Sequence, residues 1–158
     1  MFVSATTAAP LDTDADTIAI GVIDGERIPH DLPGQPLTAL VRSGEASSER
    51  GRIAVAHAAE RRFLLVGLGA RAELTPERAR QAAGVALGRA QELRSSSLCW
   101  EVPHHVDERI VGALVEGSLL RGYRFDRYKR PSETARSSRI GELTLSAHDE
   151  IGETVRVA

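Results

Sequence analysis

Between Glu116 and Lys129 the sequence changes its period, and that change limits the folds open to it. Up to Gly122, the apolar residues Ile110, Val111, Leu114, Val115 and Leu119 recur at the spacing of one helical face. From Tyr123 the pattern becomes an aromatic-basic alternation, Tyr123-Arg124-Phe125-Asp126-Arg127-Tyr128-Lys129. Of one tryptophan, two tyrosines and three phenylalanines in the chain, four fall between Trp100 and Tyr128. Aromatic side chains carry the largest apolar surface per residue, so a chain this poor in them is pinned where they gather. Elsewhere the core has to be Leu, Val, Ile and Ala.

At 158 residues, 42 % hydrophobic and 27 % charged, the chain suits one globular domain. A domain of this size buries roughly two-thirds of its unfolded surface. Cys99 is the single cysteine, which excludes an internal disulfide and fits a reducing compartment. The start, MFVSATTAAPLDTDADT, lacks the basic and apolar regions of a signal peptide. No stretch approaches the roughly 20 apolar residues of a membrane span. A cytoplasmic protein is expected. The net charge of −2 calls for no polyanionic partner, although residues 121–139 hold seven bases against two acids.

Residues 1–16, small, polar and acidic, read as a flexible N-terminal arm. Ile18–Ile23 is a short, β-branched apolar run ending at Asp24-Gly25, the mark of a strand covered on both faces. A short helix is expected at Pro36–Arg42. Strands follow at 53–57 and 63–68, the second central and buried. Leu74-Thr75-Pro76-Glu77 opens a helix with Thr75 as N-cap and Pro76 in the first position. That helix runs to about Arg94, with alanines on one face. Leu98, Trp100 and Val102 alternate with Cys99 and Glu101 in a further strand stopped by Pro103. Asp107 caps a second long helix, 108–122, and Leu143 and Leu145 mark a last strand. The order predicts an α/β fold with a mixed, partly parallel sheet flanked by helices on both faces.

Three stretches resemble the N-terminal domain of the leucine (cytosol) aminopeptidase family. They are Leu64–Glu77 (LLVGLGARAELTPE), the Ala/Arg-rich helix Arg78–Ala90, and the Glu116-Gly117 pair with the Tyr123–Lys129 string. The resemblance covers roughly residues 17–146 and implies a macro-domain-like body beside a separate C-terminal catalytic domain. Residues 147–158 are then expected to begin a linker to that domain. In the family, the catalytic domain holds two divalent metal ions (zinc or manganese) on motifs that do not occur here. The resemblance therefore assigns no catalytic, cofactor or metal residue to this chain, and a homo-hexamer is implied for the intact parent. Tyr123, Phe125, Tyr128 and Lys129 become candidates for packing against the catalytic domain.

His104-His105, with Cys99, Glu101, Asp107 and Glu108 nearby, has metal-ligating atoms but no Cys-x-x-Cys or His-x-x-x-His spacing, and reads as a loop before the Asp107 cap. Gly67-Leu68-Gly69 after a buried strand invites a phosphate, but the dinucleotide fingerprint wants glycine where Ala72 stands. Arg121, Arg124, Arg127, Lys129, Arg130, Arg136 and Arg139 interleave with aromatics, as in a nucleic-acid surface, yet equally fit an edge strand. Cys99 has no cationic neighbour in sequence to activate it, and no Gly-x-Ser-x-Gly elbow is present. The alternative to an aminopeptidase domain is a free-standing macro-like domain binding ADP-ribose or nucleic acid.

Overall fold

The apolar run at 18–23 becomes the centre of the sheet in a computed structural model, which describes residues 1–123 and 139–158. In chain order the elements are β1 (Phe2–Thr6), β2 (Thr17–Ile23), α1 (Pro36–Ser43), β3 (Ile53–Ala58) and β4 (Arg61–Gly69). They continue as α2 (Pro76–Glu92), β5 (Ser97–Glu101), α3 (Glu108–Gly122), β6 (Glu142–Ser146) and α4 (Gly152–Val157). The described strands form one sheet in the order β1-β6-β5-β2-β4-β3. All neighbours are parallel except β3, which pairs antiparallel with β4 at the edge. Ala59 and Glu60, at φ 48° and 57°, supply the tight turn of that hairpin.

Parallel neighbours need crossovers, and α2 and α3 provide them on one face. There Leu64, Val66, Leu98, Trp100, Leu143 and Leu145 meet the alanine stripe of α2 and the apolar face of α3. On the other face Ile18, Ile20, Val22, Phe63, Leu65 and Cys99 lie under Leu37 of α1 with Ile28 and Ala46. Helices thus cover both faces, as the order of elements predicted. Burial of Trp100 or Phe63 is worth about 1.5–3 kcal/mol each on area grounds.

The alanine stripe lets α2 and α3 approach closely. A Cβ built on Gly117 would sit 2.1 Å from the Arg80 carbonyl oxygen, so only glycine fits at that crossing. Arg80 Nη2 also donates to Glu116 Oε2 at 2.6 Å across the same contact. The N-caps are where the sequence placed them: Thr75 Oγ1 accepts from Arg78 N and Asp107 Oδ1 from Arg109 N. At α1 the side chain of the N-cap residue, Gln35, makes no capping bond. Asp31 reaches in instead, accepting from Leu37 N, Thr38 N and Thr38 Oγ1.

One expectation needs correction. Residues 1–16 are not a loose arm. Phe2–Thr6 pairs with Glu142–Ser146 in parallel. The following segment is fastened by Arg61, whose guanidinium donates to the Thr13 carbonyl at 2.8 Å and to that of Ala15. Local composition hid this, because the partner strand lies some 140 residues downstream. Within 147–158, α4 packs on β1 and α3, burying Val155 with Ile151 against the main core. The proposed edge strand over 123–129 falls, beyond Tyr123, outside the described residues.

Gly117→Ala is expected to cost about 1–3 kcal/mol in urea unfolding, the usual cost of overpacking. Gly84→Ala, on the α2 side of the same crossing, has its nearest neighbour at 3.7 Å and should be neutral or stabilising by up to about 1 kcal/mol. Asp16 and Asp31 are a second test. Burial alone would raise both carboxyls, but the hydrogen bonds from Ser96 and Thr17, and from Thr38, Leu32 and Leu37, hold both below their ordinary value of 3.8. A carboxyl depressed on folding contributes stability that is whole above that value and is lost as pH falls beneath it. Asp16→Asn and Asp31→Asn should therefore flatten the acid limb of the stability curve in circular-dichroism melts.

Candidate functional site

Strands β6, β5 and β2 lie side by side and point the same way, so their following loops meet at one carboxyl edge. Ligands of open α/β sheets bind at such edges. Glu101, the last residue of β5, faces the layer of α1 and is only 3 % exposed. His30, from the loop after β2, brings Nδ1 into hydrogen-bond contact with Glu101 Oε1. His104, three residues beyond Glu101, completes a set whose ligating atoms lie within 4.8 Å of one another. His148, after β6, stacks at a tilt on His104 with ring centroids 5.5 Å apart. Thr7–Ala9, after β1, close the far wall of a cavity of about 90 Å³.

Hydrogen bonds hold these loops in place. Arg71, after β4, donates from Nη1 to the His104 carbonyl at 2.8 Å and from Nη2 to Glu26 Oε2 at 2.8 Å. It thereby ties the loops following β2, β4 and β5. Ser146 Oγ donates to the Ala8 carbonyl at 2.7 Å. Within this frame Glu101 is costly. Burial pushes its carboxyl above the ordinary range, against the pull of His30 and His104. Its Oε2 is buried without a hydrogen-bond partner among the described residues.

The sequence brought His104 and Glu101 together but missed His30 and His148. His105, whose backbone is left-handed at φ 54°, sets its ring edge-on to that of His104 with centroids 6.3 Å apart and does not join the three converging ligand atoms. Cys99 is buried, and burial pushes its thiol up to about 11, so it is no activated nucleophile. Asp107 is occupied in capping α3 and pairing with Arg109, and Glu108 stands in the first turn of that helix. The glycines at 67 and 69 serve the chain itself. Gly67 N donates to the Arg52 carbonyl and Gly69 N to that of Ser48, so neither amide is available to a phosphate. A Cβ on Gly67 would lie 1.9 Å from the Glu49 carbonyl oxygen. Tyr123, at the end of α3, is 73 % exposed. Phe125, Tyr128 and Lys129, and the basic positions 124–136, lie outside the described residues.

Residues 13–132 match the Cytosol aminopeptidase family, N-terminal domain. The chain belongs to the cytosol aminopeptidase family. It is 31 % identical over 164 residues to a probable cytosol aminopeptidase of Roseiflexus castenholzii, covering 99 % of this chain and 33 % of that protein. A tomato leucine aminopeptidase variant superposes with a TM-score of 0.76 at 17 % identity, over 98 % of this chain and 34 % of the tomato chain. The macrodomain of Thermus aquaticus DarG superposes at 0.59 with 13 % identity, over 92 % of this chain and 97 % of its own. At those identities the two superpositions speak to fold alone, and they bear out the macro-like α/β body. The chain thus spans about a third of the length of the Roseiflexus and tomato proteins.

In this cytosol aminopeptidase domain the buried Glu101 charge makes a measurable prediction. A carboxyl whose pKa is raised on folding contributes stability that is whole below its ordinary value of 4.5 and is lost as pH rises through the raised one. In chelator-treated protein, Glu101→Gln should remove that decline and melt higher than the parent chain at neutral pH in differential scanning calorimetry.

Proposed function

We propose that this chain is the non-catalytic N-terminal domain of a leucyl (cytosol) aminopeptidase and that its work is to pack on a C-terminal catalytic domain and support assembly. The match of residues 13–132 to the family's N-terminal domain, in a chain one-third the length of its relatives, carries this reading. The intact parent would be a cytoplasmic homo-hexamer releasing N-terminal amino acids from peptides. Two divalent metal ions (zinc or manganese) in the catalytic domain would supply a metal-activated water as nucleophile.

Packing against a neighbour is supported by the amino edge of the sheet. Phe2, Leu120 and Tyr123 are exposed there, Leu120 to 67 %, where β1 begins and α3 ends. Met1 reaches the same place, its Cε 3.7 Å from a Cβ built on Gly122. Apolar groups gathered this way favour a partner surface over water. Tyr123 also leads into the segment of Phe125, Tyr128 and Lys129, proposed with it as the contact. The alternative, a free-standing binder of ADP-ribose, has less support. The amides of Gly67 and Gly69, the glycines that invited a phosphate, are engaged by the carbonyls of Arg52 and Ser48.

Grafting this chain in place of the N-terminal third of the Roseiflexus castenholzii relative tests the proposal. The graft, supplied with Mn²⁺ or Zn²⁺, is expected to hydrolyse leucine p-nitroanilide, and the 158-residue chain alone to release nothing above buffer. Mixed in trans with the relative's C-terminal portion, Leu120→Asp/Tyr123→Asp should bind at least tenfold more weakly, about 1.4 kcal/mol. Hydrolysis by the chain alone, or binding indifferent to both aspartates, would count against it.

A further inference from the structure

We infer that His30, Glu101 and His104 form a binding site for a divalent metal ion of the zinc class, at the carboxyl edge of the sheet and within this domain itself. Three observations converge on it. The ligand set is two imidazoles and one carboxylate, drawn from the loops after two adjacent parallel strands and from the end of one of those strands. Their ligating atoms lie within 4.8 Å of one another, close enough that small side-chain rotations bring all three to the roughly 2.0–2.2 Å of zinc–nitrogen and zinc–oxygen bonds. Independently, Glu101 is 3 % exposed and its Oε2 has no hydrogen-bond partner among the described residues. A buried carboxylate half satisfied by one histidine is expensive, and buried charges are as a rule paired or bound to metal.

The surroundings select the class of ion. Imidazole nitrogen suits zinc and its first-row neighbours, whereas calcium and magnesium prefer oxygen ligands throughout. The cavity of about 90 Å³ has room for an ion with a water or two. His148 lines the same cavity. Arg71 steadies the His104 loop by donating to the His104 carbonyl. His30 is 44 % exposed, so an ion can reach the site from solvent without the core opening. Bound there, the cation would neutralise Glu101 and fasten the loop after β2 to the one after β5.

Isothermal titration of the chelator-treated 158-residue chain with Zn²⁺ tests this, with Co²⁺ absorption as a spectroscopic readout of coordination. One ion per chain is expected, with the intense visible bands of four-coordinate Co²⁺. Glu101→Gln and His104→Ala should each weaken binding by at least tenfold, and His30→Ala/His104→Ala should abolish it. His105→Ala, at a residue outside the converging set, should leave it unchanged. Circular dichroism separates lost binding from lost folding. His104 stands on a loop, so its alanine variant keeps the test informative if Glu101→Gln fails to fold. Absence of stoichiometric binding to the parent chain, or binding that survives in His30→Ala/His104→Ala, would overturn the assignment.

Discussion

The buried parallel pairing of β2 with β4 and β5 is the constraint from which the rest of the domain follows. β2 is apolar on both faces and, but for Gly21, buried along its whole length. A strand of that kind cannot lie at a sheet surface; it requires an apolar layer above and another below. Its neighbours β4 and β5 run parallel to it, which calls for crossover connections and so creates one of the two layers. Even its first residue is accounted for: the Thr17 hydroxyl lies 2.8 Å from Asp16 Oδ1 and 2.6 Å from Ser95 Oγ. The Asp16 carboxylate in turn accepts from Ser96 N and Oγ, joining the start of β2 to the approach to β5.

Parallel pairing also sorts the loops. Those following β2, β4, β5, β6 and β1 all emerge at one edge, and their contents need have nothing in common in sequence. His30 and Glu101 stand 71 residues apart in the chain yet share a hydrogen bond. Arg71 acts as the brace between three of these loops, and its guanidinium is held in the charged form by the Glu26 carboxylate. The cluster is thus a product of topology before it is a product of composition.

The same reasoning explains which parts were legible in the sequence. β2, β4, α2 and α3 carry their evidence locally: apolar runs of the right length, an alanine stripe at helical spacing, and caps at Thr75 and Asp107. β1 and α4 do not, because Phe2–Thr6 has no strong alternation and becomes a strand only by pairing with β6. Asp31 caps α1 from five residues before its first residue, beyond the reach of an N-cap rule that looks one residue upstream. His30 gave no signal at all. Glu101 gave one: a carboxylate on a strand otherwise apolar, two residues before Pro103, must find a cation or hydrogen-bond donors, though the sequence does not say which.

Gly67 and Gly117 show how one residue type can invite a functional reading and answer to packing instead. Each removes a Cβ where another stretch of backbone passes, the Glu49 carbonyl in one case and that of Arg80 in the other. Besides the buried Trp100 Nε1, which has no hydrogen-bond partner among the described residues, two departures from a self-consistent fold are left once such positions are explained by the chain's own contacts. One is apolar surface turned to water at the amino edge, around Phe2, Leu120 and Tyr123. The other is a carboxylate buried with one oxygen unsatisfied at the carboxyl edge. Sequences that fold well violate their own rules mainly where something outside the chain completes them. The two edges call for different completions: surface area from a neighbouring domain at one, and positive charge at the other. Because they lie at opposite ends of the strands, both can be met at once, and neither proposal depends on the other.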